Sequence, residues 1–179
     1  MNSKQKIDYL QTLIRQMLSS LITADYVLLD VPYYFNVGDV LIWEGTRTWL
    51  QELPYKCLYT ASKETFDFRQ LSSNIIILLS GGGNFGDIYP WHNEIRQRVI
   101  EHYPNNKIII LPQTIWFGDA QAMRDCASAL AKHNNLTICA RDQNSYKLLK
   151  SNFSNEILLL PDMAFCIDMK RWKKPVKTK

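Results

Sequence analysis

Four short segments hold the residue types that could do chemistry. Asn36-Val37-Gly38-Asp39 sets a turn glycine between an amide and a carboxylate. Gly81-Gly82-Gly83-Asn84-Phe85-Gly86-Asp87 follows the apolar run Ile75–Leu79. Pro112-Gln113-Thr114 and Arg141-Asp142, with Ser145 beyond, close two further apolar runs. An arginine straight after a buried strand suits bidentate contact with a carboxylate or phosphate, or an ion pair to Asp142 or Asp162. Gly81, Gly82 and Gly83 read as a tight turn whose amides converge on an anion ahead of a helix N-terminus, or as a close-packing device. Asp39 reads as a helix cap, with or without a ligand contact. Asp87 reads as a cap or a general acid/base. Asp39 and Asp87 are therefore the catalytic candidates. Asn36, Gly38, Gly81, Gly82, Gly83, Asn84, His92, Gln113 and Arg141 are the binding candidates. His92 would donate a proton or touch a phosphate, unless it is simply packed.

Two other chemistries fit less well. Gly81-x-Gly83-x-x-Gly86 matches a dinucleotide fingerprint, but the next strand ends in Leu111-Pro112-Gln113 and offers no carboxylate for a ribose. Cys57, Cys126, Cys139 and Cys166 lie far apart, with no Cys/His ligand spacing. They read as reduced thiols, three of them in apolar surroundings, and no metal or cofactor is expected.

The elements that must position these residues alternate in type. Ile7, Leu10, Ile14, Met17, Leu18 and Leu21 recur at helical spacing and predict a helix over 4–22. Strands are predicted at 26–30, 55–60, 75–79, 107–111, 136–140 and 156–160. Helices are predicted from Asp39 to Leu50, over 64–72, from Trp91 to Tyr103, around Met123–Leu130, and from Asp142 to Lys150. On the segment from Trp91 to Tyr103, Trp91, Ile95, Val99 and Tyr103 form the expected buried stripe, with Glu94, Arg96, Arg98 and Glu101 between them. Strands separated by helices predict an α/β fold, a Rossmann-like parallel sheet with helices on both faces. Ligands of such sheets sit beyond the carboxyl ends of the strands, where the four segments converge. Trp43, Trp49, Trp91, Trp116 and the Tyr33-Tyr34-Phe35 run read mainly as core. Tyr33, Tyr34 and Trp91 nonetheless flank the expected cleft, where aromatic faces could stack on a sugar.

The bulk numbers set bounds. At 179 residues, 46% apolar and 21% charged, the chain has enough for one domain with a core. Its charge of +4 resides in residues 168–179, which carry +5, so the remainder sits near neutrality. That distribution argues against nucleic acid as a partner. No apolar run approaches the roughly 20 residues of a spanning helix, and Lys4, Lys6, Asp8 and Arg15 break any leader-like core. The expected location is cytoplasmic. Residues 1–166 read as one unit and 167–179 as a basic tail or truncated linker, able to touch an anionic inner membrane face.

With these segments in view, the chain resembles the polysaccharide pyruvyl transferase family. The matching pieces are Asn36-x-Gly38-Asp39, Gly81–Asp87, Leu111-Pro112-Gln113-Thr114, Ala140-Arg141-Asp142-x-x-Ser145 and Leu160-Pro161-Asp162-Met163-Ala164-Phe165. The resemblance implies one half of a GT-B-type enzyme with two facing Rossmann-like halves. It implies transfer of a pyruvyl group from phosphoenolpyruvate to two hydroxyls of a sugar as a cyclic ketal, in exopolysaccharide or cell-wall glycan synthesis. Arg141 would contact phosphoenolpyruvate, and Asn36 and Asp39 would line the acceptor side. Members carry a second half that completes the donor site. This chain stops where that half begins, so it is expected to work with a second domain or as an oligomer. The alternatives are a non-catalytic anion or nucleotide-sugar binding module, or a remnant that only pairs with another chain.

Overall fold

Among the described residues seven parallel strands form one sheet, and short apolar runs build its central strands β1, β3, β5 and β6. A computed structural model describes residues 1–33 and 36–168. The strands are β1 (Tyr26–Leu29), β2 (Cys57–Ala61), β3 (Ile76–Leu79), β4 (Gly82–Gly86), β5 (Ile108–Trp116), β6 (Leu136–Ala140) and β7 (Glu156–Leu159). Their order is β2-β1-β3-β5-β6-β7, with β4 also paired to β5. The helices are α1 (Ser3–Ser19), α2 (Val37–Leu50), α3 (Pro90–His102), α4 (Ala120–Leu130) and α5 (Gln143–Asn152), followed by a 3-10 turn at Met163–Cys166.

Alternation along each strand divides the core in two. Val27, Leu29, Ile77, Leu79, Ile108, Ile110 and Ile138 face α3, α4 and α5. Tyr26, Leu28, Ile76, Leu78, Ile109, Leu111 and Cys139 face α1, α2 and the 3-10 turn. The fold is thus a three-layer, Rossmann-like α/β sandwich, consistent with one half of a GT-B pair. Among the described residues no helix is long and apolar enough to cross a membrane.

Three expectations are corrected. The triple glycine is not a turn into a helix. Gly82–Gly86 is extended and pairs with Gln113–Trp116, continuing along β5 the edge that β3 began. The strand–turn–helix context of a dinucleotide site is therefore absent from this segment, and α3 starts only at Pro90. The strand at 107–111 does not stop at Pro112 but runs to Trp116. Its register to β6 slips between Ile110 and Gln113, and a break in the ladder is where a residue without an N–H can sit. Residues 64–72 form no helix. Ser62 and Thr65 bond each other in a turn, and Phe68 adopts φ 46°, which a right-handed helix excludes. Tyr34, Phe35 and the tail from 169 onward lie outside the described residues.

Candidate active site

Asn36 caps α2, its side chain accepting from the Gly38 amide at 2.9 Å. Asp39, expected as the cap, sits instead in the first turn, where its charge complements the helix dipole. The chain runs from β1 to β2 on one side, then crosses back to β3 on the other side of β1. Such a switch point opens a crevice at the strand ends. A cleft of 590 Å³ lies here, lined by Asn36, Gly38, Asp39, Gly83, Asn84, His92 and Arg141 among others.

Arg141 forms part of the cleft wall. Its backbone amide donates to Gln113 O, continuing the sheet pairing past β6. Its Nε donates to Thr114 Oγ1 at 2.8 Å and its Nη1 to Asp162 Oδ2 at 2.6 Å. Thr114 in turn donates to Asp142 Oδ2, and Asp142 caps α5 by accepting from the Ser145 amide and hydroxyl. Ser145 Oγ also accepts the Ile115 amide of β5. Arg141, Asp142 and Ser145 therefore act as one brace between a helix start and two strands. Burial alone would raise the Asp142 carboxyl; the Ser145 and Thr114 hydrogen bonds outweigh it and hold the group below its ordinary value. Arg141 Nη2 points toward the triple glycine, where a Cβ built on Gly83 would lie 3.1 Å from it. Glycine at 83 keeps the guanidinium edge open.

A second, buried network stiffens another part of the cleft wall. Asp30, directly after β1, has φ 57° and is 6% exposed. Its Oδ2 accepts from Arg96 Nη2 at 2.8 Å and its Oδ1 lies 3.0 Å from His92 Nδ1. Arg96 also binds Asn84 through the backbone carbonyl at 3.0 Å and the side-chain oxygen. His92 and Asn84, both facing the cleft, are thereby fixed from behind.

Other expected site residues stand elsewhere. Asp87 does not line the cleft: its carboxylate accepts the Gly118 and Asp119 amides, and Gly118 first, then Asp119, hold it below the ordinary carboxylate range. A carboxylate so occupied is a loop clamp and a poor base. Gly81 packs under the Pro112 carbonyl, and Gly82 is buried, with Asp39 Oδ1 3.4 Å from where its Cβ would stand. Gln113 is fully buried and donates to Ser80 O at 2.7 Å, joining β5 to the end of β3. Arg96, expected on the solvent face of its helix, is 1% exposed. Asp30 was not anticipated, although a carboxylate ending a four-residue apolar strand marks the rim of such a sheet. Among the described residues no cluster of His, Cys, Asp and Glu could hold a metal ion.

The profile of one family, described as polysaccharide pyruvyl transferase, matches residues 36–179. The chain belongs to the polysaccharide pyruvyl transferase family. A Bacillus subtilis protein named "Putative pyruvyl transferase EpsO" is 40% identical over 163 residues, covering 90% of this chain and 49% of its own length. Pyruvyl transferase 1 of Schizosaccharomyces pombe is 32% identical over 149 residues, covering 77% of this chain and 37% of its own. The chain thus spans about half, or less, of these pyruvyl transferase relatives. A crystal structure of the Klebsiella pneumoniae protein KP1_0663 covers all of this chain and 61% of its own, at TM-score 0.64 and 23% identity, a likeness of fold.

Proposed function

We propose that this chain carries a donor-binding wall of a pyruvyl transferase, which moves a pyruvyl group from phosphoenolpyruvate onto a sugar in exopolysaccharide or cell-wall glycan synthesis. The observation that carries this reading is Arg141, braced by Thr114 and Asp162 with Nη2 turned toward Gly83 at the cleft. Phosphoenolpyruvate brings a carboxylate and a phosphate, and such groups need a fixed guanidinium and nearby N–H donors.

The chemistry assigns the other groups. Protonation of the methylene carbon of phosphoenolpyruvate leaves a cationic centre on the adjacent carbon. A sugar hydroxyl attacks that carbon and gives up its proton to a base. The bond to the phosphate oxygen then breaks, phosphate leaves, and a second hydroxyl closes the ketal as its own proton is lost. The net products are a cyclic ketal and phosphate, so the reaction balances without a cofactor. Asp39 is suited to accept the hydroxyl proton, and His92 to donate to carbon or to hold phosphate. Asp87, tied to two amides, receives no role. The relatives' greater length supports a second half that completes the site, from one longer chain or a partner. The expected setting is the cytoplasmic side of the membrane that carries growing glycans.

A phosphate-release assay with phosphoenolpyruvate and a saccharide acceptor tests the reading. Release that depends on the acceptor and is lost in Arg141→Gln supports it. Binding of phosphoenolpyruvate with no release under any acceptor, with the second half supplied, favours a binding module instead.

A further inference from the structure

Tyr33, Tyr89 and Trp91 belong to two loops and a first helical turn, yet all three line the cleft. They are 77%, 43% and 50% exposed. Helix packing does not account for Trp91, because His92, Arg96 and Val99 take the buried face of α3. Tyr89 meets Trp91 edge-on, with ring centroids 5.8 Å apart. Lys63 Nζ stands 5.9 Å from the Trp91 ring centroid and pairs with Glu64 at 3.1 Å, and both also line the cleft.

Aromatic faces carry negative potential, and the C–H face of a pyranose is apolar with a slight positive charge. The rim of the same sugar needs donors and acceptors, which Lys63 and Glu64 offer beside the rings. Ligand sites combine apolar walls with a few such polar groups. We propose that Trp91, braced by Tyr89, is the stacking platform of a subsite for a pyranose ring of the acceptor saccharide, with Lys63 and Glu64 bonding its hydroxyls. The proposal rests on the pyruvyl-transfer reading and names the substrate class that the aromatic part of the same cleft would take.

Saturation-transfer NMR with methyl β-galactopyranoside, methyl β-glucopyranoside and methyl N-acetyl-β-glucosaminide tests it, on wild type, Trp91→Ala and Trp91→Phe. Calorimetric titration of the same samples with phosphoenolpyruvate reports the donor wall separately. At least one pyranoside should bind wild type, bind Trp91→Ala about 10-fold more weakly, and bind Trp91→Phe within about threefold of wild type. Phosphoenolpyruvate affinity should be the same in all three proteins. Equal pyranoside binding by Trp91→Ala overturns the subsite, as does a wild type that takes phosphoenolpyruvate but none of the pyranosides. A wild type that binds neither ligand rejects the donor reading along with it.

Discussion

Asp162 Oδ2 accepts Arg141 Nη1 at 2.6 Å while Asp162 Oδ1 caps the 3-10 turn through the Ala164 amide at 2.8 Å. One carboxylate thus links the 3-10 turn after the last strand to the guanidinium at the cleft. Replacing Asp162 with Ala should cost about 1 kcal/mol of stability through the lost cap. It should also weaken phosphoenolpyruvate binding severalfold, because Arg141 is no longer held on that side. Urea titration and calorimetry on one sample separate the two effects.

Asp30 and Arg96 form a buried pair, 2% and 1% exposed at their side chains. Removing one partner strands the other, so Asp30→Ala should lose about 3–5 kcal/mol. Asp30→Asn should lose clearly less. Asparagine tolerates the positive φ at this position and still accepts from Arg96. Urea denaturation of both variants checks the order.

The two glycines at either side of Asn84-Phe85 should fail differently. Gly86 has φ 136°, and a Cβ there would lie 1.7 Å from Trp116 O. Gly86→Ala should therefore destabilise the fold. Among the described residues a Cβ on Gly83 meets Arg141 alone, so Gly83→Val should fold normally and lose anion binding by occupying the guanidinium edge. Thermal melts and phosphoenolpyruvate titrations of each variant give the comparison.

Much of this was legible in the sequence because it is local. Four or five apolar residues in a row mark each central strand, and Asp142 three residues before Ser145 marks a capped helix. Arg141 stood out because a charge directly after a buried strand needs an anion. What escaped depends on distant partners. Arg96 looks solvent-facing on its helix and is buried only because Asp30 and Asn84 meet it there. Gly82–Gly86 carries no strand pattern and becomes extended because β5 runs past Pro112 to offer it an edge. Asp87 reads as a cap or a general acid/base because Gly118, whose amide it holds, lies 31 residues away in sequence.

Asp142 gives a pH signature. Its folded value is lowered, so its stabilising contribution is complete above the ordinary value of 3.8 and disappears as pH falls through the folded value. The melting-temperature gap between wild type and Asp142→Asn should be constant above pH 3.8 and should shrink below it. A gap independent of pH down to acid unfolding would show that the charge contributes nothing.

Thiol chemistry reports the core. Cys57 is exposed, whereas Cys126, Cys139 and Cys166 are buried, and burial pushes the Cys166 thiol up to about 12. Ellman's reagent should titrate one thiol rapidly in native protein, and the others only after denaturation.

Titration calorimetry with phosphoenolpyruvate, comparing the folded wild-type chain with Arg141→Gln, bears most directly on the cleft as a donor site. Saturable heat from the wild type and binding at least about 10-fold weaker in the variant are expected from the loss of a charged, bidentate-capable donor. Superimposable isotherms, or no heat from a folded wild type, would contradict it.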